Sequence, residues 1–65
     1  MKIRMNGLYG IDTITAWYRK NGDLFNFAPK KEFASELTQE EAEKIMEHAE
    51  WYLNQFNATS MQIMA

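Results

Sequence analysis

The sequence predicts an α+β domain: a small antiparallel sheet of about four strands, in βββαβ order, with one long amphipathic helix packed on one face. Three observations carry this expectation. An Asn-Gly pair sits between two β-rich runs, a Thr-x-x-Glu box opens a stretch of helical periodicity, and short alternating segments stand near both ends of the chain. A helix laid across the sheet buries both apolar surfaces at once.

Lys2 to Asn6 alternates, with Ile3 and Met5 on one side and Lys2, Arg4 and Asn6 on the other, the pattern of a half-buried strand. Gly7-Leu8-Tyr9-Gly10 breaks the alternation and reads as a loop. The β-rich run over 13–19 and the run over 24–27 flank Asn21-Gly22, which suits a two-residue type I′ hairpin. That turn sets Tyr18 opposite Phe25, Trp17 opposite Asn26 and Ala16 opposite Phe27. Ile14, Ala16, Tyr18, Phe25 and Phe27 then share the core face, and Thr13, Thr15, Trp17, Arg19, Leu24 and Asn26 the other. Pro29 ends the third strand. Residues 30–37 read either as a loop or as one helical turn placing Phe33 and Leu37 against the core.

Thr38 and Glu41 form the capping box, and the helix they open is expected to run to about Phe56 and close at Asn57. Ala42, Ile45, Met46, Ala49, Leu53 and Phe56 make its apolar stripe, with Tyr52 on the flank. Ser60 to Met64 alternates again and supplies the last strand. Residues 1–65 are expected to form a single domain.

Composition narrows the function. The 65 residues are 46% apolar and 25% charged, the balance of a folded domain rather than a disordered tail. Cysteine is absent, no apolar run approaches membrane length, and the N-terminus lacks a signal-peptide core, so a soluble cytoplasmic protein is expected. His48 is the single histidine, the two serines stand in no nucleophile elbow, and the Gly7–Gly10 loop lacks phosphate-loop spacing. No catalytic residue, metal ligand or cofactor site is therefore expected, and the protein is read as non-enzymatic.

The net charge of −2 conceals a division. Residues 1–31 carry six bases against Asp12 and Asp23, a net of +4, while residues 32–65 set Lys44 against seven glutamates, a net of −6. Glu40, Glu43, Glu47 and Glu50 stack along one side of the expected helix. Such a row is either a solvated face or a ridge that meets a basic partner. Trp51 lies on the outer side of the helix, where it serves as a binding anchor or packs against the loop at 29–37 or a neighbouring copy of the chain. On the sheet, Trp17 with Arg4, Arg19 and Leu24 makes an aromatic and basic face. A second subunit covering that face is one expectation; stacking of single-stranded nucleic acid is the alternative. The small core and five methionines add to the expectation of a homodimer, since domains of this size keep only about 3–5 kcal/mol.

Ala28, Phe33, Glu40, Glu41 and Ala42, followed by Met61-Gln62-Ile63-Met64, give a layout that resembles small accessory proteins of bacteriophages and prophages. The resemblance covers residues 13–65 and is architectural. It implies a protein that inhibits or modulates host machinery by occupying a surface, anti-CRISPR factors included, and it carries over no catalytic residue. The usual version of the layout has a shorter helix, and the extension through Trp51 to Phe56 departs from it. The leading expectation is a binding protein that blocks a basic surface of a host nucleic-acid-handling protein through Glu40, Glu43, Glu47, Glu50 and Trp51.

Overall fold

The computed structural model describes residues 1–65. In chain order these form β1 (Lys2–Asn6), β2 (Thr15–Asn21), β3 (Leu24–Ala28), α1 (Gln39–Glu47), α2 (Ala49–Phe56) and β4 (Ser60–Met64). Single turns of 3₁₀ helix occupy Leu8–Gly10 and Lys31–Phe33. All pairings are antiparallel and the strand order is β3-β2-β1-β4, so the two terminal segments lie side by side. No helix is long and apolar enough to cross a membrane.

Alternation in the four strands generates the two faces of the sheet. Met5 faces both Met61 and Ala16, which gathers apolar side chains under the helices, whereas Ile63, across from Ile3, stays exposed. Ile3 and Met5 are fully enclosed, with Leu8, Ala16, Tyr18, Leu37, Ala42 and Met61 around them. Burying an aliphatic side chain of this size contributes about 1.5–3 kcal/mol, so the first strand anchors the core. Ile14, Phe25, Phe27, Ile45, Met46, Ala49, Leu53 and Phe56 are partly buried against that centre. Above β3 the packing is aromatic: the Phe27 ring centroid lies 5.7 Å from Tyr18, 6.1 Å from Tyr52 and 5.0 Å from Phe56, all edge to face.

The hairpin differs from the expected register. The two loop residues are Gly22 and Asp23, and the pairs are Asn21 with Leu24, Lys20 with Phe25, Arg19 with Asn26, Tyr18 with Phe27 and Trp17 with Ala28. Positive φ occurs at Gly22 (63°) but at neither Asn21 nor Asp23, the pattern of a type II′ rather than a type I′ turn. Every partner moves by two residues, so each side chain stays on its expected face. The observed register also sets the small Ala28 across from Trp17, leaving the indole room.

The single long helix is replaced by two. The break falls at His48 (φ −105°, ψ 21°), which ends α1 and begins α2. Its N–H donates to Ile45 O at 3.0 Å, a tightened last turn, and its carbonyl accepts from Tyr52 N–H at 3.2 Å. The bend lets α1 seat Ala42 in the core while α2 lays Tyr52 and Phe56 over Phe25 and Phe27. The capping box forms as expected: Thr38 Oγ1 accepts from Glu41 N–H at 3.1 Å and Glu41 Oε1 accepts from Thr38 N–H at 2.9 Å. Asn57 closes α2 in the left-handed conformation (φ 48°).

The segment after β3 contains one helical turn, yet only Leu37 enters the core; Phe33 stays about half exposed. Ser35 N–H donates to Tyr18 O (3.0 Å), and Leu37 N–H donates to Met1 O (2.7 Å). The segment thus lies beside the C-terminal half of β2, at the N-terminal start of β1. Beyond β1, Gly7 takes φ +71° with its Cα against Thr59, where any Cβ would overlap the threonine side chain.

Candidate binding faces

The sheet separates two layers of opposite charge. Residues of β1, β2 and the turn at 31–33 furnish the open face, and residues of α1 and α2 furnish the other. The charge division seen along the chain is thus largely a division in space, with Lys20 reaching Glu41 of α1 and Glu32 lying beside Lys2, Lys30 and Lys31 as the crossings.

On the helical layer, Glu40, Glu43, Glu47 and Glu50 are all exposed. Lys44 lies 3.8 Å from Glu40, and Gln39 Nε2 donates to Glu43 Oε1 at 3.2 Å. Glu47 and Glu50 have neither an ion pair nor a side-chain hydrogen bond. The break at His48 separates Glu50 from the first three, so the row is not one uninterrupted helical ridge. Trp51 is 51% exposed, yet its ring also meets Phe25 edge-on at 6.2 Å and Tyr52 at 5.0 Å. It packs against Phe25 of the hairpin and its neighbour Tyr52, and offers solvent its remaining surface. Glu41 takes a structural role in the helix cap. Hydrogen bonds from Thr38, with Lys20 at 3.5 Å, hold its carboxyl below the usual carboxylate range.

The open face is built on β1. Arg4 stands between two cross-strand neighbours, Trp17 on β2 and Gln62 on β4. Its Nη2 donates to Gln62 Oε1 at 3.0 Å, which also accepts from Asn6 Nδ2 at 2.8 Å, while its Cζ lies 5.9 Å from the Trp17 ring centre. Lys31 brings its ammonium to 5.7 Å from the same ring, and Lys2 Nζ donates to Lys31 O at 3.3 Å. These contacts leave Trp17 only 8% exposed. The expectation of an exposed stacking ring at Trp17 is thereby corrected: the chain itself covers the indole. Arg19 and Leu24 remain exposed, Leu24 at 72%.

Beside this cluster an open depression of about 510 Å³ is lined by Lys2, Lys30, Lys31 and Glu32. Lys30 and Lys31 were not among the residues singled out in the sequence, although a basic doublet directly after a strand-ending proline was the available signal. His48 is exposed at the helix break, and no three His, Cys, Asp or Glu side chains gather where a metal could be held. Burial raises the Tyr18 phenol above its ordinary value, with Tyr52 next to it adding to the effect.

No protein-family model, curated protein or solved structure matches this chain. The functional reading therefore rests on these two faces.

Proposed function

We propose that this is a binding protein that works by occupying a surface, presenting its helical layer to a basic site on a nucleic-acid-handling protein. The carboxylates of Glu40, Glu43, Glu47 and Glu50 stand where such a site would otherwise meet phosphates, and Trp51 supplies an apolar anchor beside them. The small phage and prophage accessory proteins that the layout resembles, anti-CRISPR inhibitors among them, fit this mode of action. In that setting the compartment is the host cytoplasm.

One observation carries the reading. Four exposed glutamates lie on one layer of a small domain, with Lys44 the only ion-pair partner among them, next to a half-exposed tryptophan. Like charges at helical spacing destabilise a helix by about 0.2–0.5 kcal/mol per pair, a burden that a partner of opposite charge removes.

Immobilised protein and its Glu43→Lys/Glu47→Lys variant, exposed to the same bacterial lysate, test this. The expected result is a basic, nucleic-acid-binding protein retained by the parent, released by salt, and lost with the variant. The captured protein also loses its nucleic acid when the parent is added. Identical capture by parent and variant would overturn the reading, as would capture that salt does not weaken.

A further inference from the structure

The basic side chains divide sharply by pairing. Lys20 and Lys44 each meet a carboxylate of α1, at 3.5 and 3.8 Å. Lys2, Arg4, Arg19, Lys30 and Lys31 have no carboxylate within ion-pair distance. Arg4 and Arg19 project from the open face of the sheet, and Lys2, Lys30 and Lys31 surround the depression beside it, where Glu32 is the single acid. We propose that this face is a second binding site, one that holds the phosphate backbone of a nucleic acid without reading its bases.

The mode of binding follows from the covered tryptophan. Trp17 cannot stack a base, but its ring fixes two cations: Lys31 and Arg4 both lie within 6 Å of the ring centre. Lys2 is tied to the Lys31 carbonyl. Arg4, Lys31 and Lys2 are thus ordered before a ligand arrives, which lowers the entropy lost on binding. Phosphate contacts of this kind position a strand and carry no sequence information. The glutamates of the helices lie beyond the core, on the far side of the sheet. This site is independent of the helical one, so either can fail without the other.

Fluorescence anisotropy of labelled oligothymidylate and of a mixed-sequence single strand, titrated with the intact protein, tests the proposal. The two strands should bind with affinities within about twofold of each other. The slope of log affinity against log salt should fall between about −2 and −3.5, the values for three to five phosphate contacts on a single strand. Lys30→Gln/Lys31→Gln should weaken binding at least about tenfold and make the slope shallower by about 1.4. Both positions are exposed, so circular dichroism of that variant should match the parent. Lys20→Gln removes an equal charge per site from the paired set and should leave the affinity within about twofold. Absence of binding at about 50 mM salt overturns the proposal. So does equal loss in the Lys20 variant, or binding confined to inorganic tripolyphosphate or to anionic lipid vesicles.

Discussion

Trp51 meets Phe25 edge to face, their ring centroids 6.2 Å apart with the planes at 69°. The contact joins the outer side of α2 to the hairpin edge, so a residue that presents half its surface to solvent also holds the fold. Trp51→Ala should therefore change two quantities. Loss of the Phe25 and Tyr52 ring contacts should lower unfolding stability by about 1–2 kcal/mol in urea melts. Binding to the basic partner should weaken by at least about 2 kcal/mol, chiefly through faster dissociation. Unchanged stability would mean the ring contacts contribute nothing, and unchanged affinity would remove Trp51 from the interface.

Phe27 stands at the centre of the aromatic layer, touching Tyr18, Phe25, Tyr52 and Phe56. Phe27→Ala should destabilise by about 3–5 kcal/mol, comparable with the whole stability of a domain this small. Calorimetry should show no cooperative melting transition above room temperature. A variant melting within a few degrees of the parent would mean that the ring cluster is not what ties the helices to the hairpin.

The turn register can be checked with two substitutions. Gly22 has φ +63° and open space around it, so Gly22→Ala acts through the backbone alone and should destabilise by about 1 kcal/mol or somewhat more. Asn21 has no positive φ and is the last residue of β2, so Asn21→Thr should be near neutral, within about 0.5 kcal/mol. The type I′ alternative needs positive φ at Asn21 and predicts a clear loss there. Chemical denaturation of the pair decides between the two turns.

Acid should weaken the fold through two carboxylates. The N-terminal ammonium holds Glu36 below its ordinary value of 4.5, and hydrogen bonds from Thr38 do the same for Glu41. A carboxyl with a lowered folded value takes up its proton later in the folded chain than in the unfolded one. The stabilisation is therefore complete above the unfolded value and is lost as pH falls through the folded one. The melting temperature should hold between about pH 7 and pH 5 and drop below that. Glu41→Gln keeps a capping partner at the third helical position but removes one titration, so its acid decline should be shallower. A parallel decline in parent and variant would show that Glu41 does not contribute.

Much of the architecture is local and was legible in the chain. Alternation marked β1 and β4, and the capping box marked the start of α1 because Thr38 and Glu41 need only each other. The closing position at Asn57 was legible for a similar reason, since a short polar side chain tolerates the left-handed conformation. The faces of the hairpin were set by period two, which survives a shift of two residues. The choice between Asn21-Gly22 and Gly22-Asp23 was not, because both pairs make good turns. Seating Ala28 opposite Trp17 and Phe27 opposite Tyr18 is a cross-strand matter. The break at His48 was likewise invisible, since the apolar stripe runs through it and only packing onto the sheet reveals the bend.

The candidate surfaces divide in the same way. The sequence by itself determined that acids and bases are segregated, and strand and helix periodicity placed Glu40, Glu43, Glu47, Arg4 and Arg19 on outward faces. Tertiary structure alone decided the fate of the two tryptophans. Trp17 lies on the outward side of its strand, yet the turn at Lys31–Phe33, distant in sequence, folds back and closes over it with Arg4. Trp51 lies on the outward side of its helix, yet reaches the edge of β3. Periodicity reports which way a side chain points from its own element. What a neighbouring segment lays on top of it depends on contacts between residues far apart in the chain, and those exist only in the folded molecule.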